Sequence, residues 1–277
     1  MQKAELLKEI KNLQKDCEHL DGIELKLNWD MLKQMDEEEL MGGTHFIGSE
    51  LAGFIAVYDF GSKAEICGMV YPGHRRKGIF TGLLQSALAG IAERNYRQIL
   101  LNAPGNSATA KEFIAQSPFS YSITEYQMKW GGMPAVPDDK NVNMRPAADS
   151  DRDLEIELDV QCFGFKREEA VRHNSRIQDE SSSQSYIIEN EGNAVGKARI
   201  SWPGGKQAWI YGFAILPDFQ GRGIGREVLR QIISRESGAG RDIFLEVEAE
   251  NANALRLYTS CGFESYSSQD YYRYDNS

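Results

Sequence analysis

A proline-led, glycine-rich and basic segment occurs twice in this chain, and that repetition limits its fold more than any other feature. Tyr71-Pro72-Gly73-His74-Arg75-Arg76-Lys77-Gly78-Ile79-Phe80 returns 145 positions later as Leu216-Pro217-Asp218-Phe219-Gln220-Gly221-Arg222-Gly223-Ile224-Gly225. Pro72 and Pro217, Gly78 and Gly223, Asn106 and Asn251, and Tyr121 and Tyr266 all keep that one spacing. A strand, loop, helix, strand and helix held in one register argue for a duplicated domain. The 277 residues leave room for two domains of ordinary size. Between the copies, Gly131-Gly132-Met133-Pro134-Ala135-Val136-Pro137-Asp138-Asp139-Lys140 combines glycine, proline and charge with no apolar period, which marks a linker. The expected division is 1–130, a linker over 131–141, and 142–277.

The second copy reads in more detail. Val142 to Arg145 starts a strand, and Asp149 to Cys162 and Lys166 to Gln178 carry helical spacing. Gln184 to Ile188 and Ala194 to Ser201 read as strands around the turn Glu191-Gly192-Asn193. In the strand Gln207 to Leu216, Trp209, Tyr211, Phe213 and Ile215 alternate and are expected on one face. A helix over Arg226 to Arg235, a strand over Ile243 to Ala249, a helix over Ala252 to Ser260 and an aromatic-rich final strand follow. The expected class is α/β, with a mixed α+β sheet in each copy.

Composition removes several function classes. From Met1 to Trp130 there are 14 basic and 17 acidic residues, and from Gly131 to Ser277 there are 17 and 24. Neither half has the basic footprint of a nucleic-acid binder, and the acidic balance favours a cationic or neutral substrate. No apolar run approaches the roughly 20 residues that span a bilayer. The start of the chain lacks the apolar stretch of a secretion signal. Cys17, Cys67, Cys162 and Cys261 are scattered, with no Cys-x-x-Cys pair and no clustered histidines. Disulfides and structural metal are not expected, and a cytoplasmic location with reduced thiols is.

The loop Gln220-Gly221-Arg222-Gly223-Ile224-Gly225 joins a strand to a helix. Such a loop turns several backbone N–H groups toward one point at the positive end of the helix, which suits a phosphate. A tight turn that needs glycine for positive φ is the competing reading. The cations bear on the choice. Arg222 and Arg226 stand at the helix start, where positive charge is disfavoured by about 0.3–1 kcal/mol per group. The first copy does the same with Arg75, Arg76 and Lys77. An anion between them would relieve the conflict. No Gly-Lys-Ser/Thr ending is present, and Arg226 stands where the dinucleotide fingerprint needs glycine, so both better-known phosphate loops fail.

Gln220-x-x-Gly223-x-Gly225 after a strand and Pro217 resembles the acyl-CoA signature of the GNAT superfamily of N-acetyltransferases. Leu245-Glu246-Val247, then Asn251-x-x-Ala254-Leu255-x-Leu257-Tyr258, then Gly262-Phe263 is similar to that family's second signature. The resemblance covers most of the second copy and, more faintly, Ala64 to Tyr121 of the first. It implies two tandem GNAT-like domains, with acetyl-CoA as co-substrate and no metal. It implies that the amides of Gln220, Gly221, Arg222, Gly223, Ile224 and Gly225 hold the pyrophosphate, with Arg226 beside them. It further implies that the edge Phe213, Ala214 and Ile215 pairs with the pantetheine arm, and that Asn251 helps to place the cofactor.

Acyl transfer to an amine needs a base, an oxyanion donor and an acid, because an alkyl ammonium of pKa about 10.4 must first lose a proton. Tyr258 is the candidate acid. It shares a helix face with Asn251, Ala254 and Leu255, and the family pattern favours it over a plain core aromatic. Glu246 is the candidate base, acting through water. It lies on the strand face opposite Ile243, Leu245 and Val247, and a surface carboxylate is the equal alternative. At the same spacing the first copy carries Leu101 for Glu246, Phe113 for Tyr258 and Phe80 for Gly225. The expectation is therefore an N-acetyltransferase that serves a small-molecule or peptide amine from its C-terminal domain. The first copy is expected as scaffold, with residual CoA binding as its alternative. A non-catalytic acyl-CoA-binding or regulatory module is the alternative for the whole chain.

Overall fold

A computed structural model describes residues 2–94, 96–133, 141–178 and 182–275. Most of the expected linker, residues 134–140, lies outside them. The elements run α1 (Lys3–Asp21), α2 (Trp29–Gln34), α3 (Glu37–Gly42), β1 (Thr44–Ile47), β2 (Glu50–Asp59), β3 (Lys63–Val70), α4 (Ile79–Ile91), β4 (Gln98–Pro104), α5 (Ala108–Ile114) and β5 (Phe119–Trp130). The second half continues with β6 (Val142–Pro146), α6 (Arg152–Phe163), α7 (Arg167–Gln178), β7 (Ser183–Asn190), β8 (Asn193–Ser201), β9 (Gln207–Ile215), α8 (Ile224–Gly238), β10 (Asp242–Glu248), α9 (Ala252–Ser260) and β11 (Phe263–Tyr274).

The chain forms two compact units, Met1–Thr124 with Ser267–Ser277, and Glu125–Tyr266. In the first, the strand order is β1-β2-β3-β4 followed by the end of β11. Strands β3 and β4 are parallel, and β11 is antiparallel to β4 from Gln269↔Pro104 to Arg273↔Leu100. In the second, the order is the end of β5, then β10-β9-β8-β7-β6. Strands β10 and β9 are parallel, and β5 is antiparallel to β10 from Lys129↔Phe244 to Glu125↔Glu248. The sequence division follows the duplication, whereas the compact units follow strand pairing. Residues 125–130 complete the second sheet and residues 267–274 complete the first. Glycine and proline mark where a chain turns, but partner choice between similar strands is decided by tertiary pairing.

Alternation along β2 builds two cores in the first unit. Phe54, Ala56 and Tyr58 pack with Leu6, Ile10 and Leu13 of α1, and Ile55 packs on the other face with Ile79, Leu83 and Leu84 of α4. The acidic run Asp36 to Glu39 begins α3, where the Asp36 carboxylate accepts the Glu39 N–H at 2.8 Å and caps the helix. In the second unit Ile224, Val228, Leu229, Ile232 and Ile233 form one stripe of α8. That stripe is buried with Ile243, Leu245 and Val247 of β10 and with Ala208 and Ile210 of β9.

One expectation about β9 is overturned. Trp209 and Tyr211 do share a face, stacked at 6.1 Å between centroids. Phe213 and Ile215 instead join the core beneath α8, together with Ile210. The cause is a bulge. The β8–β9 register slips between Lys197 and Arg199, and Gly212 adopts φ +55°. An extra residue reverses the phase of every side chain beyond it.

Candidate active site

The expected strand and loop residues flank the place where β9 and β10 part. Their parallel ladder runs from Gln207↔Asp242 to Ile210↔Leu245 and goes no further. Beyond Ile210 no strand of the described residues pairs with the β10-facing edge of β9, and the bulge leaves Gly212 and Phe213 opposite a single residue of β8. Free main-chain N–H and C=O groups along a strand edge are what an extended amide-bearing ligand pairs with. Ala214 and Ile215 sit buried at the far end of this edge.

The loop after β9 closes that end. Pro217–Phe219 make one tight helical turn, Gly221 takes φ +75°, and Gly223 takes φ +84° as the N-cap of α8. Positive φ there costs a residue with a side chain about 1–2 kcal/mol, which explains both glycines. Gly225 is small for another reason. A Cβ on it would stand 3.3 Å from Leu257 Cδ2 and 3.6 Å from the Phe213 ring. Ile224 is buried in the core, and Arg226 is exposed on the first turn of α8. Gln220 does a job the sequence did not suggest. Its Nε2 donates to the Ile215 carbonyl at 2.8 Å, and Cys162 Sγ donates to the same oxygen at 3.4 Å.

That arrangement repeats in the first unit. Arg75 Nε donates to the Val70 carbonyl at 2.9 Å, and Cys17 Sγ lies 3.6 Å from the same oxygen. Cys17 and Cys162, Val70 and Ile215, and Arg75 and Gln220 are each 145 positions apart, so the duplication extends to a three-residue hydrogen-bond motif. Pro72–His74 make the same tight turn, and Gly78 caps α4 at φ +78°. Arg76 holds φ +62° at the place of Gly221. The backbone course is the same without a glycine there.

The charges around the two loops differ. Arg75 is clamped by Asp21 at 3.0 and 2.5 Å, and Arg76 pairs with Glu112. In the second unit, Arg222 donates to the Asp218 carbonyl at 2.7 Å and lies over the Phe219 ring. Among the described residues, no carboxylate forms an ion pair with Arg222 or Arg226. Steric filling is exchanged as well. In the first unit the Phe80 ring from α4 leans on Gly68 of β3, and in the second the Phe213 ring from β9 leans on Gly225 of α8. Each unit fills the same gap from the opposite side.

Glu246 sits half-buried on β10, facing away from the core residues Leu245 and Val247. Its Oε1 accepts from Gln127 Nε2 at 3.1 Å. Gln127, on β5, was missed in the sequence because it precedes the linker and belongs to the other copy. Tyr258 is core-packed and 7% exposed, edge-on to Phe263 at 6.1 Å. Burial pushes its phenol up to about 12. The hydroxyl is not among the sealed, partnerless polar atoms of the described residues. Asn251 caps α9, its Oδ1 accepting the Ala254 N–H at 3.0 Å.

A second group missed in the sequence lies beside the bulge. Lys197 of β8, opposite Ala214, is buried and reaches Asp159 at 2.6 Å and the Glu155 carbonyl at 3.1 Å. Asn174 holds the other Asp159 oxygen at 2.6 Å. Burial raises the carboxyl of Glu155 and the thiol of Cys162 next to this cluster. The signal was a lysine inside the otherwise small and apolar run Ala194 to Ala198.

Known proteins share this architecture. The model of the acetyltransferase (GNAT) family matches residues 153–263, all within the second unit. N-alpha-acetyltransferase RimI of Mycobacterium tuberculosis is 33% identical over 120 residues, covering 39% of this chain and 69% of that protein. Mycothiol acetyltransferase of Mycolicibacterium smegmatis is 26% identical over 216 residues, covering 72% of this chain and 71% of that protein. Among solved structures, a GCN5-related N-acetyltransferase from Sphaerobacter thermophilus aligns with TM-score 0.75 and 19% identity, covering 96% of this chain and 91% of the other. A tandem GNAT protein from the clavulanic acid biosynthesis pathway aligns with TM-score 0.70 and 14% identity over 98% of this chain and 94% of its own. With both loops, the splayed β9–β10 pair and these likenesses in place, the chain belongs to the GNAT family of N-acetyltransferases and carries that fold twice in tandem.

Proposed function

We propose that this enzyme moves an acetyl group from acetyl-CoA to a primary amine by direct attack, with the chemistry in the C-terminal copy. The observation that carries this reading is the difference in charge between the two loops. Among the described residues, only the second presents glycine-capped amides with arginines that no carboxylate pairs. Those amides, from Gln220 to Gly225, suit a diphosphate, with Arg222 and Arg226 adding charge. The edge Phe213 to Ile215 suits an amide-bearing arm. Asn251 fixes the start of α9, and the family resemblance gives it a part in placing the cofactor.

Bound acetyl-CoA supplies the thioester whose carbonyl carbon the amine attacks. The residues of this chain do the rest. Glu246, anchored by Gln127, takes the ammonium proton through water. Backbone N–H groups near Phe213 to Ile215 favour negative charge on the carbonyl oxygen. Tyr258, kept neutral by burial, holds a proton at Oη for the departing thiolate. The acceptor is a small-molecule or peptide amine, in keeping with relatives described as N-alpha-acetyltransferase and mycothiol acetyltransferase.

The test is release of free thiol from acetyl-CoA by the full chain against a panel of amines and N-terminal peptides. Release with at least one amine is expected, with a raised acetyl-CoA KM in Arg222→Ala/Arg226→Ala. Tight acetyl-CoA binding with no release on any amine would instead make the chain a non-catalytic acyl-CoA-binding module. Unchanged acetyl-CoA affinity in the double variant would move the site away from this loop.

A further inference from the structure

The second unit has a strand with no counterpart among the described residues of the first. There β6 pairs along the outer edge of β7, from Val142↔Asn190 to Pro146↔Tyr186, and Val142 is 4% exposed in the core it shares with α8. Gln231 of α8 clasps the strand, its Nε2 donating to the Val142 carbonyl at 2.9 Å. In the first unit the hairpin of β1 and β2 takes the place of β7 and β8. The two hairpins match at a spacing of 143 positions. Gly53 stands opposite Val70 as Gly196 stands opposite Ile215, and both hairpins bulge at the same step, between His45 and Phe46 and between Ile188 and Glu189. Strand β1 is the last of its sheet, and no strand of the described residues pairs with its outer edge.

A groove of about 490 Å³ lies in the place that β6 fills in the other copy. Thr44, His45 and Ile47 of β1 form one side, and Lys77, Gly82 and Ser86 at and along the start of α4 form the other. Gly82 and Ser86 stand where α8 carries Glu227 and Gln231. A Cβ on Gly82 would meet nothing within 4 Å, and its φ is helical. Glycine inside a helix is destabilising, and neither a turn nor a close neighbour asks for this one. What it provides is clearance above α4. The main-chain groups of an edge strand pair with any extended segment that can lie alongside.

The second copy shows the form of such a segment: extended, with Val142 and Met144 at alternate positions against the core. Two differences define what fits the first. Without the side chains of Glu227 and Gln231, there is space for apolar groups larger than Val142. Charge is the other difference. No acidic residue lines the groove, and Lys77 contacts only the Gly73 carbonyl and His74 Nδ1. Lys77 lies toward the β1–β2 turn, where His74 comes within 3.9 Å of Glu50. A segment antiparallel to β1, as β6 is to β7, has its amino end there.

We infer that the outer edge of β1 is a docking site for an extended acidic peptide of a partner protein. The peptide adds as a strand, packs alternate large apolar side chains on α4, and places the carboxylates that precede them beside Lys77. A second copy of this chain fits less well. Its own edge, Thr44 to Ile47, offers no carboxylate, and each copy carries a net charge of −10. This site is independent of the loop after Pro217 and of the reaction proposed for it.

The experiment titrates the full chain into fluorescein-Asp-Asp-Leu-Asn-Leu-Thr-amide and reads anisotropy. The charge control carries Lys-Lys in place of Asp-Asp. Two backbone controls carry N-methyl groups on alternate residues, in the two complementary phases. One peptide per chain is expected, with the Lys-Lys form at least tenfold weaker. One N-methyl phase should abolish binding and the other should leave it within about threefold, because a strand offers only every second amide to its neighbour. Lys77→Glu should weaken the acidic peptide at least tenfold without changing the melting temperature of the free protein. The amides of Thr44 to Ile47 should gain protection from hydrogen exchange on titration. Absence of binding, equal binding by the two N-methyl phases, no preference for the acidic form, an unaffected Lys77→Glu, or protection that leaves out β1 overturns the inference. So does a dimer, seen in sedimentation, that the peptide dissociates, which would make a second copy the occupant.

Discussion

The two glycine loops have nearly the same backbone and different chemistry. Both follow a strand, make a tight turn after proline, and cap a helix with glycine in the left-handed region. In both, a side chain and a cysteine thiol converge on the last carbonyl of the strand. In the first copy that side chain is Arg75, held by Asp21, whereas in the second it is the neutral Gln220. The first loop has paired Arg75 and Arg76 with carboxylates of its own unit, while Lys77, like Arg222, bonds a main-chain carbonyl four residues back. In the second, no carboxylate of the described residues pairs with Arg222 or Arg226. Duplication preserved the geometry, which packing enforces, and let the electrostatics diverge, which packing tolerates.

The largest test of this contrast is the phenol. Tyr258→Phe should lower turnover at least tenfold, toward the ~10²–10⁴ that a positioned acid contributes, with little change in acetyl-CoA affinity. Phe113→Tyr, the reverse change in the first copy, should leave turnover unaltered. Steady-state kinetics on the best amine decide both, and an unaffected Tyr258→Phe removes that residue from the mechanism.

The exchanged rings come next. Gly225→Phe should destabilise the chain by about 1–3 kcal/mol, as overpacking does, and block acetyl-CoA. Adding Phe213→Gly recreates the packing of Phe80 on Gly68 and should restore part of the stability without restoring acetyl-CoA binding. Denaturant midpoints for the two single variants and the double give the coupling, expected at about 0.5–3 kcal/mol for side chains in contact. Additivity would mean that the rings do not share one gap.

Smaller effects follow at the strand-end carbonyls. Arg75→Ala strips a charged hydrogen bond from Val70 and leaves Asp21 without its partner, for a loss of about 1.5–3 kcal/mol. Gln220→Ala removes one neutral bond and should cost about 0.5–1.5 kcal/mol. Urea unfolding of the two variants ranks them, and the opposite order would mean that the Asp21–Arg75 clamp adds nothing to the first loop.

At neutral pH the ionisation of the buried groups should have no effect. Burial pushes Tyr258 and Cys67 up to about 12 and Cys17 up to about 11. Raised values mean that the folded chain holds these protons more tightly than the unfolded one. Their stabilisation is complete below the unfolded values, about 8.5 for thiols and 10 for the phenol, and is lost as pH rises through 11 to 12. Denaturant midpoints should be flat from pH 7 to 8 and fall above that. A rate profile with a Tyr258 limb near neutrality would contradict its burial.

Much of this fold could be read in the sequence. The period of α8 and the alternation of β10 name their buried faces directly, because burial of apolar surface depends on spacing alone. The repeat at 145 positions announced two copies, and Gly221 and Gly223 announced a loop with positive φ. Glu246 on the face opposite Leu245 and Val247 was likewise legible. The phase change at Gly212 was not, since one inserted residue looks like any other until the neighbouring strand fixes its register.

What the sequence determined by itself is therefore local and periodic: the elements, their apolar faces, the repeated loop and the residue types at its tip. What only the tertiary structure decided is which distant groups meet. It brought Gln127 to Glu246, Asp21 to Arg75 and Glu112 to Arg76, and it completed each unit's sheet with a strand from the other half of the chain. Spacing fixes the direction in which a side chain leaves its own element. The charge or hydrogen bond it finds there depends on elements far away in the chain, and only folding sets that encounter.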